Sequence, residues 1–221
     1  MTRTAIVAGS TGLIGNGLVQ KLLQHSGYGR VITLVRRPTG LQHQKLIEQV
    51  VSFDDLLLEK ELLQDADVFC TLGTTMKQAG SKDAFRKVDY EYPIRLAKQA
   101  AQQGAAQYLI VTAMGADKQS SIFYSRVKGE VEDALRSLHF PALHLFRPSL
   151  LLGERAQFRF GERASAVAMK LLGFAFAGPL RKYKAIPASA VAEAMLRAAL
   201  AGRSGVQVYE SDAIEDLAAG K

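Results

Sequence analysis

Short apolar runs alternate along this chain with longer stretches whose apolar positions recur every three or four residues. "TAIVAG" (4–9) predicts a first strand. The following "GLIGNGLVQKLLQH" (12–25) places Leu13, Leu18, Leu22 and Leu23 on one helical face. Further strands are predicted over 30–37, 48–53, 66–73, 107–113, 142–148 and 206–211. Helices are predicted over 54–64, 81–104, 123–138 and 189–202. Pro93 kinks or divides the long one. The near-continuous apolar run "ADVFCTLG" is that of a strand covered on both faces, as in a parallel sheet. The alternation therefore predicts an α/β fold: a Rossmann-like doubly wound parallel sheet of six to seven strands. Residues 153–185 interrupt it and predict a small C-terminal insertion covering the substrate, within one domain spanning 1–221.

Composition adds exclusions. With 221 residues and 48% apolar content the chain can bury a full core. No apolar run reaches membrane-span length, and the N-terminal apolar stretch is too short for a signal peptide. Cys70 is the lone cysteine, so no internal disulfide can form, and a cytoplasmic location is expected. The four histidines show no metal-ligand spacing, so no metal is expected. The net charge of +7 is concentrated between Glu154 and Lys184, where seven basic residues face two acidic ones. A solvated surface and an anionic partner both fit that stretch. Nucleic-acid binding is not expected, because no aromatic interleaving or recognisable module accompanies the charge.

At the first strand–helix junction stands "AGSTGLIG", with Gly9, Gly12 and Gly15 spaced G-x-x-G-x-x-G. A turn there brings the backbone N–H groups of residues such as Ser10, Thr11, Leu13 and Ile14 against a pyrophosphate. The second strand ends in Arg36 and Arg37, where an acidic residue would bind the ribose hydroxyls of NAD. Guanidinium groups at that place favour the 2′-phosphate of NADP(H). On the predicted helix after strand five, "YSRVK" puts Tyr124 and Lys128 on one face. A phenol beside an ammonium can exchange a proton with a carbonyl oxygen.

Together, "GSTGLIG", "LVRRP", "TLGTT", "YSRVKGEVE" and "RPSLLLGER" resemble an atypical short-chain dehydrogenase/reductase. Within that superfamily the chain is most similar to the HIV Tat-interacting-protein-like group of NADP-binding oxidoreductases. The resemblance implies that Leu72, Gly73 and Thr74 line the cofactor and that Pro148, Ser149 and Leu150 pass beside the nicotinamide. It makes Tyr124 and Lys128 the catalytic pair and gives Lys128 a further contact with the cofactor ribose. Such enzymes usually carry a hydroxyl after strand five, where this chain has Ala113. Thr112 is the first candidate to replace it, with Ser120 and Ser121 behind. Asp89 stands where many relatives have asparagine.

Smaller features read structurally. Cys70 belongs to the core, Arg147 anchors a loop, and Asp54 and Asp55 cap a helix or touch the adenine. The expected function is hydride transfer between NADPH and a small carbonyl compound, an anionic one being mildly favoured by the basic stretch, with a homodimer as a further option. A non-catalytic NADPH-binding regulator and an NAD(P)-dependent epimerase or dehydratase are the alternatives.

Overall fold

The computed structural model describes residues 2–152 and 178–221. Seven strands form one sheet: β1 (Arg3–Ala8), β2 (Tyr28–Val35), β3 (Leu46–Val50), β4 (Asp67–Cys70), β5 (Gln107–Val111), β6 (Ala142–Arg147) and β9 (Gly205–Glu210). Two short strands, β7 (Leu151–Leu152) and β8 (Ile186–Pro187), pair separately. The helices are α1 (Leu13–Gln24), α2 (Lys60–Leu63), α3 (Met76–Ala79), α4 (Lys82–Arg86), α5 (Tyr92–Gln102), α6 (Phe123–Arg136), α7 (Ala188–Leu200) and α8 (Ser211–Ala218). In the large sheet the order is β3-β2-β1-β4-β5-β6-β9 and every pairing is parallel. This is the doubly wound Rossmann-like arrangement expected from the alternation.

Strand parity divides the core. Ala5 and Val7 of β1 and Phe69 of β4 face α1, α7 and α8. Ile6 and Ala8, with Val68 and Cys70, face α5 and α6. Buried on both faces, the central strands have no polar side to show, which is why their sequences run apolar without alternating. On α1 the residues Leu18 and Leu22 are fully buried. Each such burial contributes roughly 1.5–3 kcal/mol.

Two predicted helices differ in instructive ways. The segment 54–64 is helical only over Lys60–Leu63. Leu56 and Leu58 are buried while Leu57 is 86% exposed, a period of two rather than of 3.6. The extended backbone finds its partners on α5: Arg95 donates to the Phe53 carbonyl, Gln99 to that of Leu56, and Gln103 to that of Leu58. Those three side chains, one turn apart on a neighbouring helix, replace the intrahelical bonds. No helix begins at Asp54 or Asp55, so neither is an N-cap.

The segment 81–104 is continuous from α4 to α5 through a π turn, Lys87–Glu91. Pro93 opens α5 and lacks the N–H that a regular turn would require. The insertion expected over 153–185 lies outside the described residues up to 177. Its described remainder is a 3₁₀ turn (Gly178–Tyr183) leading into β8.

His144, in β6, is fully buried, with Nδ1 3.1 Å from the Tyr209 hydroxyl. Burial, helped by the Arg203 charge, pushes its pKa down to about 4. Below the ordinary value of 6.5 the unfolded chain takes up a proton that the folded one refuses. Stability present above pH 6.5 is therefore lost as the pH falls toward 4. The urea midpoint is expected to drop between about pH 7 and 4.5, and to drop less in a His144→Gln variant. Equal slopes in the two proteins would remove His144 from this account.

Candidate functional site

The three glycines at the end of β1 have different jobs. Gly9 turns the chain with φ +87°, and a Cβ there would lie 2.6–2.8 Å from the backbone of Thr71 and Leu72. Gly15 sits in the first turn of α1, where a Cβ would come within 2.1 Å of the Gly9 carbonyl oxygen. Gly12 caps α1, and its N–H donates to the Gly9 carbonyl at 2.9 Å. Having no side chain, it offers no capping oxygen, so the first-turn N–H groups keep their free donors and the positive end of the helix dipole. In the same turn the Ser10 hydroxyl is buried without a hydrogen-bond partner among the described residues.

These groups form one wall of a cleft of about 960 Å³ at the C-terminal edge of the sheet, over the adjacent strands β1 and β4, from which the strand order runs outward in both directions. Open sheets of this order bind ligands at that switch point. Arg36 and Arg37, exposed just beyond β2, stand at the wall beside Leu34 and Val35. Neither arginine has a carboxylate within ion-pair distance among the described residues. Phe53 and Tyr92 line the cleft as a tilted aromatic pair with ring centroids 5.5 Å apart. Leu72, Gly73 and Thr74 supply the third side. An orphaned hydroxyl, an uncapped helix end and two guanidinium groups, unpaired among the described residues, suit a ligand carrying several phosphates.

Behind Gly73 lies Lys128. Its side chain is 6% exposed, and Nζ lies 2.7 Å from Asp89 Oδ1. Burial alone would pull Lys128 down; the Asp89 carboxylate and the Tyr124 phenol outweigh it and hold the ammonium above its ordinary value. Tyr124, one turn earlier on α6, is 36% exposed and packs on Phe85 at 5.5 Å between ring centroids. Close contact fixes this helix: a Cβ on Gly129 would come within 2.1 Å of the Lys118 nitrogen, and Asp117 N–H donates to the Ser125 carbonyl.

Other expected site residues fall elsewhere. The side chains of Leu13 and Ile14 pack into the core against α7 and α8, so only the backbone of this first turn of α1 is left to face a ligand. Pro148, Ser149 and Leu150 follow β6 at the same sheet edge but do not line the cleft. Pro148 accepts from Met114 N–H at 3.0 Å, and Ser149 N–H donates to Ser211 Oγ at 2.8 Å. Thr112 does not replace the missing hydroxyl. It is buried and donates to Glu132 Oε1 at 2.7 Å. Glu132 in turn accepts three hydrogen bonds from Arg147 Nε and Nη2, so Arg147 ties β6 to α6 rather than anchoring a loop. Ser120 Oγ accepts from Ile122 N–H, a local turn contact. Asp54 is exposed and held by Tyr92 and Lys87. Cys70 is buried, and burial pushes its thiol up, as befits a core residue.

The basic stretch is partly neutralised. Arg181, Lys182 and Lys184 pair with Asp216, Glu210 and Glu215, so these three give no support to an anionic substrate. The other four cations lie outside the described residues. Sequence reasoning missed Phe53, Tyr92 and the Glu132 network. The signal for Phe53 was available in its place at the end of the predicted third strand; for Glu132 there was none, since its partners are 15 and 20 residues away.

Residues 42–172 match the family described as HIM1. Rat protein HTATIP2 is 33% identical over 220 residues, covering 97% of this chain and 89% of that protein. The protein named FMP52-1, mitochondrial, of Scheffersomyces stipitis is 37% identical over 155 residues, 69% of each chain. Among solved structures, MoeE5 in complex with UDP-glucose and NAD superposes with a TM-score of 0.68 at 16% identity. That match covers 98% of this chain and 81% of MoeE5 and bears on the fold. The cytoplasmic expectation is overturned: several fungal relatives, including those of Meyerozyma guilliermondii and Aspergillus niger, are named mitochondrial proteins. One unpaired thiol rules out an internal disulfide and says nothing more about compartment. Among the described residues no helix is long and apolar enough to cross a membrane. The glycine turn, the Tyr–Lys helix and the match along nearly the whole of HTATIP2 place this chain in the HIM1 family, as an atypical short-chain dehydrogenase/reductase of the HTATIP2 type.

Proposed function

We propose that the protein binds NADP(H) in the cleft and serves as an oxidoreductase for a small carbonyl or alcohol substrate. The observation that carries this reading is the uncapped N-terminus of α1 in the same cleft as two arginines that are unpaired among the described residues. The first-turn N–H groups and the Ser10 hydroxyl hold the pyrophosphate. Arg36 and Arg37 bind the 2′-phosphate, and Leu72, Gly73 and Thr74 close the third side. When bound, the nicotinamide supplies or accepts the hydride. Tyr124 exchanges the proton with the carbonyl oxygen, and Lys128 holds the charge beside it. The NAD seen in the MoeE5 structure supports a dinucleotide here by likeness of fold.

A second reading, a non-catalytic NADPH-binding protein, draws on one observation. Ala113 has no hydroxyl and Thr112 spends its own on Glu132, so neither residue directly after β5 offers a hydroxyl to a substrate oxygen. Calorimetric titration decides the common part. Wild type is expected to bind NADPH more tightly than NADH, and Arg36→Ala with Arg37→Ala to weaken NADPH by about ten- to a hundredfold, leaving NADH unchanged. Failure of both nucleotides to bind would overturn both readings. A turnover screen of aldehydes and ketones, with Tyr124→Phe as control, then separates them: loss of turnover in that variant supports the enzyme, and absence of turnover in wild type the regulator.

A further inference from the structure

We infer that the carbonyl substrate is an anion whose carboxylate is held by Lys82 and Arg126, two cations that converge on Phe123 beside Tyr124. The inference rests on the oxidoreductase reading and gives its substrate a chemical class. Lys82 Nζ lies 5.4 Å from the centre of the Phe123 ring, and the Arg126 guanidinium carbon 5.8 Å from it. Phe123 and Tyr124 open α6 side by side. Both rings pack on the buried Phe85, with centroids 5.8 and 5.5 Å away. The two cations therefore reach the end of α6 that carries the exposed phenol, and they do so from two helices: Lys82 begins α4, and Arg126 belongs to α6 itself.

Their lack of acidic partners is selective. The neighbouring cations Arg86, Lys87 and Lys118 pair with Glu130, Asp54 and Asp133. Among the described residues, no carboxylate comes within ion-pair distance of Lys82 or Arg126. Glu130 stands one turn along α6 from Arg126, at the spacing where such side chains meet, but it is taken by Arg86. Arg126 turns instead toward the start of the helix, where Nη1 donates to the Ser120 carbonyl at 2.8 Å. That bond fixes the guanidinium. It leaves the Nε–Nη2 edge free among the described residues, and such an edge takes a carboxylate in a two-bond fork. An aromatic ring attracts a cation without cancelling its charge. Two like charges gathered on one ring repel each other, and an anion bound by both relieves that repulsion. Support for an anionic substrate thus comes from α4 and α6, not from Arg181, Lys182 and Lys184. A remote anchor of this kind also orients a substrate whose carbonyl oxygen finds no hydroxyl on Ala113.

Adipate semialdehyde and hexanal have chains of equal length and differ in the terminal carboxylate, which makes the ratio of their kcat/KM values with NADPH the measurement. Wild type is expected to favour adipate semialdehyde by about ten- to a hundredfold. Lys82→Gln and Arg126→Gln should each lower the ratio about three- to tenfold, and the double variant should bring it near one. A general loss of folding or turnover cancels from the ratio, so the response to the carboxylate alone is read. A wild-type ratio near one, or an undiminished ratio in the double variant, would overturn the inference. Should neither aldehyde be reduced, ¹⁵N NMR of the arginine side chains of wild type, titrated with hexanoate and with hexanol, gives the answer instead. A saturating shift of Arg126 Nε with hexanoate alone supports the anion site. No shift, or the same shift with hexanol, overturns it. That titration needs no turnover, so failure of the oxidoreductase reading and failure of the anion site are told apart.

Discussion

Gly15→Ala is expected to destabilise the protein by about 3 kcal/mol and to abolish measurable nucleotide binding, whereas Gly17→Ala, two residues on, should stabilise it by up to about 1 kcal/mol. The substitution is the same and so is the helix. At Gly17 an added Cβ meets only Ala192 Cβ at 3.8 Å, an ordinary contact, and the helix gains the better intrinsic propensity of alanine. At Gly15 it would lie 2.1 Å from the Gly9 carbonyl oxygen and 2.5 Å from Thr71 Oγ1. Neither neighbour can yield easily. Gly9 O accepts the Gly12 N–H that shapes the turn, and Thr71 is hydrogen-bonded back to Ala8. Relief therefore requires α1 to move away from β1, which displaces the N–H groups proposed to hold the pyrophosphate. Urea denaturation and NADPH titration on both variants check this. A Gly15→Ala protein with wild-type stability and affinity would show that the tight junction is not needed.

Glu132→Ala should cost about 3–5 kcal/mol, the usual penalty for leaving a buried ion without its partner. The Glu132 side chain is 3% exposed and bonds both Arg147 and Thr112. Truncation would leave the Arg147 guanidinium without its carboxylate, reduce the Thr112 hydroxyl to its 3.2 Å contact with the Phe146 carbonyl, and loosen α6 from β6. Since Tyr124 and Lys128 ride on α6, affinity and turnover should fall with stability. Thr112→Val removes only the hydroxyl and should cost about 1–2 kcal/mol, with the affinity for NADPH unchanged. Chemical denaturation of the two variants measures the difference. If Thr112→Val keeps full stability yet loses turnover, Thr112 acts on the substrate after all, and its bond to Glu132 is secondary.

Both variants lead back to what can be read from a chain without its fold. Hydrophobic order along the sequence determined the alternating α/β architecture and its parallel sheet, because strands buried on both faces run apolar without interruption. Local chemistry determined the glycine turn and the arginines beyond β2. Both depend on residues adjacent in sequence: a backbone that must turn, and a strand that must end. The same locality made Tyr124 and Lys128 visible as a pair one turn apart. Three things were decided by the tertiary structure. The segment after β3 is extended, because Arg95, Gln99 and Gln103 of a distant helix satisfy its carbonyls better than a helix of its own would. Thr112 serves Glu132 and not the cleft, since side-chain direction at a strand end is set by the helix packed on it. Asp89 meets Lys128 across 39 residues through a π turn that no local pattern announces. Periodicity reports which face a residue occupies; which partner waits on that face is settled only when distant elements pack, and buried polar groups are bound to find one.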